Sequence, residues 1–272
     1  VVTLILGMTN VAIILLGGHL VANMSMQVGD LIAFMTYATQ IMISFMMLSM
    51  IFVFVPRASA SATRVNAVLD QPISIHNAPE KDQDKISINH PASLEFKNVD
   101  FRFHGAERLA LHDLNFKVTA GQTLAIIGGT GSGKSALVNL IPRLCDIESG
   151  EIKVDGVPVK KLSQHNLHEV ISITQQQAVL FSGTIRSNLQ FGYEEATDKE
   201  MWHALEIAQA ADFVREEGGL DAVVEQNGSN FSGGQRQRLA IARTIIKPAS
   251  IYVFDDSFSA LDFETDAKLR AA

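Results

Sequence analysis

Residues 128–135 read Gly-Gly-Thr-Gly-Ser-Gly-Lys-Ser, the spacing G-x-x-x-x-G-K-S that cradles a polyphosphate. Glycine lets the backbone turn inward, so that consecutive N–H groups face one anion. The candidate cradle is Gly128, Gly129, Thr130, Gly131, Ser132, Gly133, Lys134 and Ser135. Lys134 reaches the terminal phosphates of such a ligand, and the Ser135 hydroxyl ligates its Mg²⁺. Farther on, the apolar run Ile251–Phe254 ends in Asp255-Asp256. An acid at the end of a buried strand is what phosphate chemistry needs to hold Mg²⁺. Between the two lies Phe231-Ser232-Gly233-Gly234-Gln235, in which Ser232 is a good helix cap. A capped helix start with two glycines is a second anion-binding surface.

These residues need elements to carry them. The run Thr123–Ile127 predicts a strand feeding the cradle, and Ala136–Ile141 predicts the helix leaving it. Further strands are predicted over Leu94–Phe103, Leu114–Val118, Val170–Thr174 and Ile251–Phe254, with a hairpin at Asp155-Gly156 inside Ile152–Val159. Helical periodicity covers Lys199–Ala211 and Gly233–Ile246, the latter closed by Pro248. Strands alternating with helices predict an α/β core with its ligand at the strand ends.

Composition divides the chain. The net charge is −7, and residues 1–56 contribute to it only through Asp30. An acidic remainder without a basic stripe argues against nucleic acid as a partner. Cys145 is the one cysteine, so no disulfide forms within the chain and no zinc cluster is in prospect. Val1–Ala22 and Leu31–Val55 carry no formal charge, and each spans roughly 33–38 Å as a helix, against ~30 Å of hydrocarbon. Arg57 and Arg64 follow the second run while the connector 23–30 has no basic residue. That asymmetry predicts the connector outside and everything after Val55 in the cytoplasm. Met35, Met42, Met46 and Met50 share one helical sector; such a stripe suits either a surface for varied apolar ligands or packing on neighbouring helices. His19, near the outer end, is read as a hydrogen-bonded interface residue. The expected domains are 1–70 in the membrane with its cytoplasmic helical extension, a proline-bearing linker over 71–93, and 94–272. An apolar start without Met and a polar helical finish are expected of a piece of a longer protein.

Cradle and acid alone are shared by kinases, GTPases and motor ATPases. The stretch Phe231–Gln235 resembles the LSGGQ signature of ATP-binding-cassette (ABC) proteins, with Phe for Leu, and it stands in order between GGTGSGKS and Asp255. The resemblance implies ATP and Mg²⁺ as cofactors. It implies Phe103 stacking on adenine, Gln176 sensing Mg²⁺ beside Ser135 and Asp255, and Ser259–Asp262 crossing to a partner domain. It also implies that Ser232, Gly233, Gly234 and Gln235 dock on ATP held by that partner, and that Asp256 stands where the catalytic base, usually Glu, orients the attacking water. VGDLIAFMTYATQ and FVPRASASATRVNAVLD resemble the last membrane helix and exit helix of an ABC exporter half. The implied architecture is therefore an all-α transmembrane segment followed by an α/β P-loop ABC ATPase domain.

The shorter Asp256 departs from the pattern, and a misplacement of ~1 Å costs on the order of 10²-fold in rate. The expected protein is one half of a plasma-membrane exporter for small apolar or amphipathic cargo, most like a heterodimeric multidrug exporter. Its partner would be a second half with Glu at this position. Two alternatives stand beside it: a regulatory ATP-binding half with little turnover, and a homodimeric lipid or peptide exporter.

Overall fold

An uncharged, largely apolar sequence gives α1, Val2–Ala22, and a second helix, α2, Val28–Leu69, is charged only near its ends at Asp30, Arg57 and Arg64. The computed structural model describes residues 2–87 and 90–272; Val1 of the first expected span and residues 88 and 89 of the expected linker lie outside them. Contacts divide the chain into Val1–Ser74 and Ile75–Ala272. Gln27 opens α2 with a capping box, its N–H donating to Asp30 Oδ2 at 3.3 Å. The helix runs on through Pro56 for 42 residues without a buried side chain. Both helices are long and apolar enough to cross a membrane. Their polar side chains turn inward on the backbone. Thr36, Thr39, Ser44 and Ser49 donate to the carbonyls four residues back at 2.8, 2.9, 2.9 and 3.0 Å, which satisfies each hydroxyl within the helix itself. Gly17 lets α1 approach α2, since a Cβ there would stand 2.2 Å from Leu31 Cδ1. Met35 and Met42 are half-buried, whereas Met46 and Met50 are exposed. His19 Nε2 lies 3.2 Å from Asn23 Nδ2.

In the second unit, four strands form an antiparallel sheet in the order β2-β1-β3-β4: β1 Leu94–Phe101, β2 Leu111–Val118, β3 Ser149–Val154 and β4 Val157–Pro158. The β3–β4 turn is the expected hairpin, with Asp155 at φ 51° and Gly156 at φ 78°, as a two-residue type I′ turn requires. β5, Ile171–Thr174, and β8, Ile251–Phe254, pair in parallel with Thr174 opposite Phe254. A short pair, β6 Gly183–Thr184 with β7 Val223–Val224, completes the sheets among the described residues. The helices are α3 Lys134–Leu140, α4 Gln164–Val170, α5 Ile185–Gln190, α6 Asp198–Ile207, α7 Ala211–Glu216, α8 Gly233–Ile245 and α9 Phe263–Ala271.

Two apolar cores hold these together. One joins the large sheet to α3, α4 and the β5–β8 pair through Phe96, Leu140, Ile152, Leu167, Ile171 and Val253. The other joins α5–α8 through Ile185, Leu189, Met201, Leu205, Phe231 and Ile241.

Three expectations are corrected. Thr123–Ile127 forms neither strand nor helix, with Ile127 93% exposed. Local bonds hold its ends: Gln122 N–H donates to Thr119 O at 3.1 Å, and Lys134 folds onto the loop beyond. No described strand lies in register with it, and an apolar run without a ladder partner is not a strand. β1 stops at Phe101, and Phe103 falls in the turn whose Ala106 N–H bonds its carbonyl at 3.0 Å. The helix expected over Lys199–Ala211 breaks in two, because Gln209 takes φ 55°, outside the right-handed helical region.

Candidate functional site

Gly131 and Gly133 take φ +81° and +91°, a conformation costly to any residue with a side chain. Space adds a second reason, since a Cβ on Gly133 would meet Leu111 Cδ2 at 2.7 Å and one on Gly128 would meet Ser132 Oγ at 2.5 Å. The loop that results is exposed, and Lys134 Nζ donates into it, to the carbonyls of Gly128 at 2.7 Å and Gly129 at 2.8 Å. The amine is therefore held over the loop, where it would meet an anion seated on the N–H groups. α3 is fixed behind it by Ala136, Leu137, Val138 and Leu140, all buried. Ser135 stays exposed at the first turn.

Asp255 leaves the end of β8 8% exposed, its N–H donating to Thr174 O at 2.9 Å. Asp256 then turns outward at φ 48°; aspartate tolerates this left-handed conformation better than most residues. Ser259 Oγ holds the turn through Asp256 O at 3.0 Å. Gln176, just beyond β5, donates from Nε2 to Asp256 Oδ2 at 3.4 Å. The parallel pairing of β5 with β8 thus brings together a carboxamide and a carboxylate eighty residues apart in sequence.

Ser232 caps α8 as expected. Its Oγ accepts from Gln235 N at 3.2 Å, and Gln235 Oε1 accepts from Ser232 N at 2.8 Å. Gln235 is therefore spent on the helix start, leaving Ser232 and Gly233 exposed at the tip. A Cβ on Gly234 would stand 3.2 Å from Ala260 O, so this glycine lets the turn after β8 lie against the helix. Phe231 is 3% exposed and meets Phe213 edge-on; it anchors the tip in the second core. Phe103 is 53% exposed, its ring edge-to-face with Phe101 at 4.9 Å, a free aromatic face against which a flat base can stack.

Sequence reasoning missed what joins the parts. Thr174 and Thr244, both buried, share a hydroxyl bond of 2.6 Å, and Ser172 Oγ donates to Thr244 O at 2.8 Å. These bonds fasten α8 to the strand that leads to Gln176. Arg243 of α8 donates to Val179 O at 2.9 Å and stands over the Phe181 ring; burial lowers its pKa. The legible signal was threonine and serine inside otherwise apolar runs.

Residues 111–259 match the family model described as ABC transporter. The chain belongs to the ABC transporter family. It is 43% identical over 277 residues to an uncharacterized ABC transporter ATP-binding protein of Mycobacterium tuberculosis, covering 100% of this chain and 47% of that one. It is 36% identical over 267 residues to an ATP-dependent lipid A-core flippase of Desulfotalea psychrophila, covering 98% of this chain and 46% of the flippase. Among solved structures, a bacterial Atm1-family ABC exporter with ATP bound matches at TM-score 0.79 and 32% identity, over 99% of this chain and 47% of that one. The chain thus spans about half the length of the curated relatives it matches.

The residues fit the two groups this family implies. A glycine loop that a Cβ would obstruct, with an amine held over it, suits a polyphosphate. No group of three or more His, Cys, Asp or Glu able to hold a metal occurs among the described residues. Asp255 with the Ser135 hydroxyl suits Mg²⁺, which binds through one or two carboxylates plus substrate phosphates.

Proposed function

We propose that this chain is the ATP-binding and permease part of an exporter half that couples ATP binding and hydrolysis to efflux of small amphipathic molecules. The observation that carries the reading is the glycine loop with Lys134 held over it, in a unit that follows two membrane-length helices. Gly128–Gly133 would wrap the phosphates and Lys134 would neutralise the outer ones. Ser135, Asp255 and Gln176 would hold Mg²⁺, whose chemistry is to bridge and neutralise the phosphate oxygens. Phe103 would stack on the base. Asp256, held by Gln176, would orient the water. The exposed Ser232–Gly233 tip would meet the phosphates bound by a second ABC half, so that two nucleotides join two domains. Hydrolysis would then reset the pair.

The shorter Asp256 supports a partner of a different sequence that carries Glu there. The named relatives support a second reading of the cargo, since one is a lipid A-core flippase and another a β-(1→2)glucan exporter. Coupled ATPase measurements decide between partners: the protein purified alone and with a candidate second half should turn over slowly alone and quickly together. Equal rates in the two cases reject the heterodimer and favour a homodimer.

A further inference from the structure

The turn that ends α3 is closed by Leu144 N–H donating to Asn139 O at 3.0 Å and Arg143 N–H donating to Leu140 O at 3.1 Å. That pair of bonds is the Schellman closure, which places Arg143 at the position where glycine is strongly preferred. Arg143 indeed takes φ 54°. It is also 5% exposed, and its Nη1 has no hydrogen-bond partner. A left-handed arginine with a buried, unpaired N–H is costly on both counts, and what offsets that cost is what its guanidinium reaches.

It reaches two things. Nε donates to Asp146 Oδ1 at 2.7 Å, and Nη2 donates to the carbonyl of His76 at 3.1 Å. His76 belongs to residues 75–87, which lie within the linker expected over 71–93. In the structure this stretch is a strap laid on the ATPase unit. Asn77 Oδ1 accepts from Gln164 N at 2.8 Å, and Asp84 N–H donates to Lys161 O at 2.9 Å. Ile86 is buried, its N–H and C=O both bonded to the Asn166 side chain at 2.9 and 3.0 Å. The strap therefore meets α4, which feeds β5 and Gln176, at both Asn77 and Ile86, and meets the turn after the phosphate-loop helix at His76.

We propose that Arg143 is a positioning residue that ties the phosphate-loop helix to the strap, so that loop and strap move together. The inference rests on the exporter reading. Because α2 passes into the strap after five residues of connector, a nucleotide-dependent shift of α3 is conveyed along the chain toward the membrane helix.

The test uses the full-length protein containing this chain, in vesicles of phosphatidylethanolamine and phosphatidylglycerol. A cysteine placed at Ser61 in the exposed end of α2 is labelled with a maleimide, with and without ATP, Mg²⁺ and vanadate. The parent protein is labelled in parallel to subtract other thiols. In the otherwise native protein, nucleotide should change the labelling rate at least about fivefold, the low end of ordinary coupling between sites. Arg143→Gly suits the left-handed backbone, so the variant should fold and bind ATP within about twofold of the parent while that response collapses. Asn166→Ala, which frees the far end of the strap, should have the same effect. A full response in either variant overturns the proposal, as does loss of ATP affinity in Arg143→Gly, which would make the arginine a prop for the loop alone. Absence of ATP binding in the parent protein is a separate outcome and rejects the exporter reading itself.

Discussion

Lys134 spends its charge on two glycine carbonyls, and no other cation bonds that loop among the described residues. Lys134→Ala should weaken binding of a fluorescent ATP analogue by at least tenfold, about 1.4 kcal/mol or more, and unchanged affinity would sink the phosphate-loop reading. Asp256 sits outside that contact set. If a Glu-bearing partner supplies the faster site, Asp256→Ala should leave binding intact and cost little total turnover, whereas Ser232→Arg should abolish most of it by blocking the partner's phosphates. Steady-state ATPase of the assembled pair checks both, and equal damage from the two changes would mean equivalent sites. Residue types and spacing make these groups legible in the sequence itself, because phosphate binding tolerates few alternatives at glycine, lysine and hydroxyl positions. Arg143 was illegible for the opposite reason: its role depends on a left-handed turn and on a chain segment 67 residues away, neither of which periodicity records.

Elements are held in place here by a few polar bonds laid over the apolar cores. Thr244→Val removes the buried hydroxyl pair between α8 and β5 and leaves Thr174 without its partner. The expected loss is about 1–3 kcal/mol, the usual cost of an orphaned buried polar group, read as a lower thermal midpoint. Another network fixes the strands β1–β3. Asp100 accepts from Asp113 N–H and from His112 Nδ1, each at 2.8 Å, and from Ser149 Oγ at 2.7 Å. The Asp113 N–H first, then the Ser149 and His112 bonds, hold its pKa down to about 2. A folded-state value below the unfolded one of about 3.9 gives stability that is complete above pH 4 and lost as pH falls toward 2. Asp100→Asn should flatten the thermal midpoint against pH in that window, and a slope equal to that of the parent would reject the network's role. The boundaries of α8, β5 and β8 followed from caps and apolar runs in the sequence. Thr123–Ile127 did not follow. Its composition is that of a strand, but strand formation depends on a partner in register, and a single sequence names no partners.

At the scale of the whole molecule, the first test is orientation. With Arg57 and Arg64 beyond the second span, a cysteine at Ser25 should react with a membrane-impermeant thiol reagent from outside intact cells, and one placed within 71–87 should not. The reverse pattern would invert the topology. The length of α2 has a mechanical consequence as well. Of its 42 residues, the 14 after Val55 extend the rod by about 21 Å past the apolar run. A helical rod of that reach is a lever. Tilting it by ~10°, well inside the range that membrane helices adopt, would sweep its far end through roughly 4 Å. That displacement is close to the separation between neighbouring strands. Pro56 lies at the fulcrum of this lever. It can give no N–H to the carbonyl of Phe52, so the rod is softest where the bending moment is greatest. Replacing Pro56 by Ala would restore that bond and stiffen the arm, so that less of any motion in the membrane is absorbed before it reaches Leu69.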